Sequence, residues 1–225
     1  MTFVRDRRIN EKNQLGFIHK FIPSNKKERL EGRVKVPTFL LLHGTGGNEE
    51  DLIPIGHEIA SEAAILSPRG KVLEEGMPRF FRRLAEGVFD IEDLKFRTNE
   101  LADFVKAAST AYGFDMQHII AVGYSNGANI ASSMLLLRSE ILSAAILFRA
   151  MVPLVPEVLP NLKYKRIFMS SGLHDPIVPK REVESLSSLF KKVGAEVSLY
   201  WQNSGHELRI EEVKKAKEWL SSSFR

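Results

Sequence analysis

The chain has 225 residues, 44% of them hydrophobic and 27% charged, with a formal net charge of +4, an ordinary globular composition with length for one large domain, 1–225. Without cysteine it can form no disulfide, thiolate metal site or cysteine nucleophile, and this fits a reducing cytoplasm. Acids and apolar residues break the basic clusters at Arg5–Arg8, Lys26–Lys35 and Arg79–Arg83, Met1–Lys12 has no signal-peptide core, and no run can span a bilayer, so neither nucleic-acid binding nor membrane insertion is expected.

Phe3–Ile9 and Leu15–Pro23 read as amphipathic strands joined by the polar Asn10–Gln14, an antiparallel edge. Thr38–Leu42 is continuously apolar, as in a strand buried on both faces, and runs into His43-Gly44-Thr45-Gly46-Gly47. Asn48, with Asp51 three residues on, is placed to cap a helix through Ala60. Ala64–Leu66 is a strand, followed by Ser67-Pro68-Arg69-Gly70 and then by Lys71–Phe89, an irregular stretch. Leu94, Leu101, Phe104, Val105, Ala108 and Tyr112 then recur at helical spacing. The apolar Ile119–Val122 enters Gly123-Tyr124-Ser125-Asn126-Gly127, and an apolar helix from Ala128 to Leu137 leaves it. Strand Ala144–Phe148, the proline-rich loop Val152–Pro160, strand Arg166–Met169, helix Lys180–Val193, strand Glu196–Trp201 and helix Glu207–Phe224 follow. The alternation predicts α/β class, a mostly parallel, doubly wound sheet of about eight strands. Between the last two central strands only Met151–Lys165 is available, so no separate lid domain is expected.

Gly-x-Ser-x-Gly between a strand and a helix is the spacing of a nucleophile elbow, in which a strained turn thrusts the serine hydroxyl out of the sheet. Such a serine needs a base, and the base an orienting acid. In the α/β-hydrolase fold these follow in the order serine, acid, histidine. Asp175 is the only aspartate after Ser125, with several glutamates as formal alternatives, and only His206 follows it. Both stand just past predicted strands, where catalytic groups of open parallel sheets gather. The expected triad is therefore Ser125, Asp175 and His206. Backbone amides of Asn126, after the nucleophile, and of Thr45, with Gly46 as the alternative, are the expected oxyanion donors. The glycine loop lacks the lysine of a phosphate-binding P-loop. His43 is expected to brace that loop, and His19, His57 and His118 to fill surface or satisfied polar roles.

Leu-His-Gly-Thr-Gly-Gly, Gly-Tyr-Ser-Asn-Gly-Ala, Gly-Leu-His-Asp-Pro-Ile-Val-Pro and Gly-His-Glu-Leu together resemble the small carboxylesterase, phospholipase and acyl-protein thioesterase family of α/β-hydrolases, from about Thr38 onward. Ser67–Gly70 and Gly76–Arg83 are similar to its bacterial branch linked to quinone and hydroquinone resistance. The resemblance implies a carboxylesterase acting on short acyl esters, with no cofactor, often as a homodimer. Asn126 and Ala128 stand where thioesterase relatives usually have Gln and Gly, which weakens transfer of a protein-depalmitoylating role.

The expected activity is that of a serine carboxylesterase on a small-molecule ester, through a covalent acyl-enzyme. Thioesterase or lysophospholipase chemistry on the same machinery, and a non-catalytic binding protein on a hydrolase scaffold, are the alternatives. Leu73, Met77, Phe80 and Phe81, with Met151, are candidates for the acyl wall, against the plainer reading that the aromatics pack on the core. Arg149 is an odd charge at an apolar strand end, to be met by an anionic substrate or merely by a carboxylate.

Overall fold

The computed structural model describes residues 15–25 and 36–223. The elements run β1 (His19–Ile22), β2 (Thr38–Leu42), α1 (Ile53–Ile59), β3 (Ala64–Pro68), β4 (Val72–Glu74), β5 (Met77–Arg79), β6 (Arg83–Ala85), β7 (Val88–Phe89) and α2 (Ile91–Tyr112). They continue with β8 (Ile119–Tyr124), α3 (Asn126–Leu137), β9 (Ala144–Phe148), β10 (Arg166–Gly172), α4 (Lys180–Lys192), β11 (Glu196–Gln202) and α5 (Ile210–Ser223).

Among the described residues the main sheet has seven strands, ordered β1-β3-β2-β8-β9-β10-β11, all parallel except β1, which pairs antiparallel with β3. The expected partner of β1 in an edge hairpin, Phe3–Ile9, lies outside the described residues. Period-two alternation divides the central strands between two apolar layers. Phe39, Leu41, Ile65, Ile120, Val122, Ile146 and Phe148 face α1 and α5, packing with Leu52, Ile59, Val213, Ala216 and Leu220. Leu40, Leu42, Leu66, Ala121, Ala145 and Leu147 point the other way, onto α2, α3 and α4. With both faces covered, β2, β3 and β9 are buried throughout and β8 up to Gly123, which is why Thr38–Leu42, Ala64–Leu66, Ile119–Val122 and Ala144–Phe148 read as apolar runs.

Three local expectations are corrected. Asn48 does not cap a helix: its Oδ1 accepts from Glu50 N at 2.8 Å while its own amide donates to Asp51 Oδ2 at 3.2 Å, folding 48–51 into a turn. The helix starts at Ile53, with Pro54 in its first turn. Lys71–Phe89 is not irregular but forms two antiparallel ribbons, β4 with β5 and β6 with β7. The first turns on Glu75 and Gly76, both at positive φ (52° and 80°), which suits a two-residue hairpin. The last helix begins at Ile210 rather than Glu207, because the Glu212 carboxylate reaches back to the Arg209 amide at 2.9 Å in the manner of a capping box.

The connection from β9 to β10 contains no helix or strand, and no helix among the described residues is long and apolar enough to cross a membrane.

Candidate active site

Ser125 stands between β8 and α3 with φ 52° and ψ −114°, a conformation L-residues rarely adopt. Two hydrogen bonds hold it there: its amide donates to Phe148 O and its carbonyl accepts from Asn129 N, both at 2.9 Å. The flanking glycines are steric necessities. A Cβ at Gly127 would overlap the carbonyls of Leu42 and His43, and one at Gly123 would run into the backbone of Gly127 and Ala128. Strand and helix can thus cross closely enough to leave the serine at the tip.

Two loops at the carboxyl edge of the sheet bring the other groups to this hydroxyl. The turn after β10 carries Asp175 and the turn after β11 carries His206, and they are laced together by Leu173 N to Gln202 O at 2.8 Å and His174 N to Ser204 O at 3.0 Å. Gly172 lets them touch, since a Cβ there would collide with the carbonyls of Ser204 and Gly205. His206 Nε2 lies 3.0 Å from Ser125 Oγ and its Nδ1 lies 2.8 Å from Asp175 Oδ2. Asp175 Oδ1 accepts the amides of Ile177 and Val178 at 2.8 and 3.0 Å. Burial alone would raise this carboxyl, but the hydrogen bonds from His206, Val178 and Ile177 outweigh it and hold it below the usual aspartate range. Asp175 is thus an anion at neutral pH, and an anion at Nδ1 fixes the tautomer that leaves Nε2 free to accept the serine proton. Tyr124 OH adds a donor to His206 O at 2.9 Å.

The glycine loop after β2 faces the elbow. His43 is buried within it, with Nδ1 donating to Gly44 O at 2.6 Å and Nε2 accepting from Gly70 N at 3.0 Å. Burial lowers its pKa and outweighs the bond to Gly44 O, which favours the cation, and Nε2 can accept from Gly70 N only on a neutral ring. The folded state therefore takes up this proton at lower pH than the unfolded chain. His43 contributes stability that is complete above the ordinary histidine value of about 6.5 and is lost as pH falls from there through its folded-state pKa. Melting temperatures followed downward from about pH 8 should fall more steeply below about pH 6.5 in the wild type than in His43→Gln; parallel curves would remove this role.

Gly46 N is committed to Pro78 O at 2.9 Å, which disqualifies the alternative oxyanion donor and leaves the Thr45 amide. The Thr45 hydroxyl accepts from Arg79 Nη1 at 2.7 Å, and Arg79 is itself buried, 3.2 Å from Glu74. Asn126 begins α3, so its amide is among those with no intrahelical partner, while its Oδ1 accepts from Phe80 N at 2.7 Å. The ribbon β4–β5 and the residue after it are thereby tied to both Thr45 and Asn126, the candidate oxyanion donors. In the sequence Arg79 stands in a basic cluster and in the Gly76–Arg83 motif, and Tyr124 in the elbow motif, but neither carries a role there.

The candidate acyl-wall residues separate. Phe81 is 0% exposed and packs edge-on against Phe89, and Phe80 is buried against the His43 ring at 4.7 Å, so both are core residues. Leu73 is 70% exposed. Met77 lies over Gly46 and is 38% exposed. Met151 is 9% exposed, with its amide on Asn129 Oδ1 at 3.0 Å.

Residues 31–224 match the family model described as phospholipase/carboxylesterase. The Bacillus subtilis (strain 168) protein MhqD is 49% identical over 185 residues, 82% of this chain and 92% of that one. Among solved structures, the Bacillus cereus carboxylesterase is 46% identical with a TM-score of 0.91, covering 96% of this chain and 99% of that chain. A carboxylesterase from Mesorhizobium loti is 29% identical with a TM-score of 0.83, covering 92% and 96% respectively.

Proposed function

Because the chain belongs to the phospholipase/carboxylesterase family of α/β-hydrolases, and is thereby an ester-hydrolysing serine hydrolase, we propose that it cleaves small or short-chain acyl esters through an acyl-enzyme on Ser125. The observation that carries this reading is the unbroken line of hydrogen bonds from Ser125 Oγ through His206 to Asp175. As the hydroxyl attacks the ester carbonyl, His206 Nε2 takes its proton and then delivers it to the departing alcohol. Asp175 holds the ring and stabilises the imidazolium. The amides of Thr45 and Asn126 receive the negative charge that develops on the carbonyl oxygen. Water, activated by the same imidazole, attacks the acyl-enzyme carbonyl, releases the acid and restores the serine.

The preference for small acyl groups is supported by two features. The β9–β10 connection builds no helical cap, and Phe80 and Phe81, the aromatics nearest the glycine loop in sequence that could wall a deep channel, are consumed by the core. Met77, beside Gly46, is the side chain we assign to acyl contact.

A fluorophosphonate probe should label the purified protein at Ser125, and p-nitrophenyl esters of rising acyl length should show kcat/KM greatest for the short members. No labelling of folded protein would overturn the acyl-enzyme reading. A profile peaking at long acyl chains would overturn the substrate assignment alone. Matched ester and thioester pairs distinguish carboxylesterase from thioesterase.

A further inference from the structure

The end of β9 carries a second strained residue next to the elbow. Arg149 has φ 60°, and it follows Phe148, whose carbonyl takes the Ser125 amide. Its side chain is 0% exposed, so no anionic substrate can reach it. The guanidinium forms a fork on Glu212, Nη1 to Oε1 at 2.5 Å and Nη2 to Oε2 at 2.7 Å. Nη1 also donates to Ser170 O on β10 at 3.4 Å, and the other donors converge on the loop of the candidate base. Nε donates to Gly205 O at 3.2 Å, and Nη2 to Glu207 O at 2.5 Å and Ser204 Oγ at 3.2 Å. Gly205 and Glu207 are the two neighbours of His206. Nε also lies 3.8 Å from Asp175 Oδ2, the oxygen that accepts from His206.

Glu212 is equally occupied, taking the Ser170 hydroxyl on β10 and the Arg209 amide at the start of α5. One buried ion pair thus links β9, β10, the His206 loop and the last helix. Desolvating two charges and holding a non-glycine residue at positive φ both cost free energy, and a core filled with apolar side chains would avoid both. What the pair supplies that apolar packing cannot is a planar, directional grip on main-chain carbonyls.

We propose that Arg149, locked by Glu212, is a positioning residue: it clamps the chain on either side of His206 so that the imidazole spans Ser125 and Asp175. This rests on the assignment of those three residues above.

The test uses Arg149→Lys, which keeps a cation opposite Glu212, and the double variant Arg149→Met with Glu212→Leu, which removes both charges. Steady-state kinetics on p-nitrophenyl acetate, the rate of fluorophosphonate inactivation and thermal melting are measured for each, with Ser125→Ala as reference. Both variants should lose on the order of 10- to 100-fold in kcat with KM within about 2-fold, and react more slowly with the probe, the size expected of a misplaced catalytic group. Lysine should not rescue, because one ammonium cannot serve Glu212 and both carbonyls together. If the double variant unfolds, Arg149→Lys carries the test. Wild-type kcat in either folded variant, full rescue by lysine, or a loss confined to KM overturns the proposal. Turnover surviving in Ser125→Ala would instead overturn the assignment beneath it.

Discussion

Ser125→Ala is expected to lower kcat on ester substrates by roughly 10⁶-fold while leaving the fold intact. The alanine keeps the Cβ and hence the same backbone strain at φ 52°, and the backbone bonds to Phe148 O and Asn129 N do not involve the hydroxyl. The only hydrogen bond lost is the one to His206 Nε2. Melting temperature should therefore stay near that of the wild type, so the loss can be read as chemistry. A residual rate of about 10³–10⁴ over water is expected from the oxyanion amides and substrate binding. Near-wild-type turnover in the folded variant would remove Ser125 from the reaction.

Asp175→Asn should cost on the order of 10⁴-fold in kcat, although the substitution changes almost nothing in size. The reason lies in what surrounds the carboxylate. Oδ1 accepts from two amides, Ile177 N and Val178 N, so the asparagine must leave its oxygen there. Its NH₂ is then forced into the place of Oδ2, facing His206 Nδ1. A donor at that position turns Nδ1 into an acceptor and puts the ring proton on Nε2, pointing at Ser125, where it blocks proton transfer. Steady-state kinetics beside the wild type would show the drop; a loss below about 10-fold would mean that the acid is dispensable or lies elsewhere.

Much of the site was legible because its chemistry is written locally. Gly123 and Gly127 flank Ser125 at fixed offsets, and the two strand-end positions of Asp175 and His206 follow from alternation and chain order. The ribbons were not, since β4 to β7 are two or three residues long and too short for an alternating pattern to emerge. Phe80 and Phe81 follow from the same gap: in an unpaired loop they resemble a substrate wall, whereas the observed pairing turns them into the core. Arg149 announced itself as a charge in an apolar setting, but Glu212 lies far along the chain in a helix whose other acids are ordinary surface residues. Spacing carries no information about such a partner.

The strand order also sets when this molecule becomes active. β8 is hydrogen-bonded between β2 and β9, so Thr38 must find Ile119 across a long intervening segment before the elbow has a sheet to project from. Parallel pairings of this kind pay loop-closure entropy in advance and make folding slow. Ser125, Asp175 and His206 sit past the ends of β8, β10 and β11, and the proposed reaction needs all three brought together. A partly assembled sheet therefore has no partial activity, and on refolding from denaturant hydrolysis should return with the final docking step, later than the helical signal.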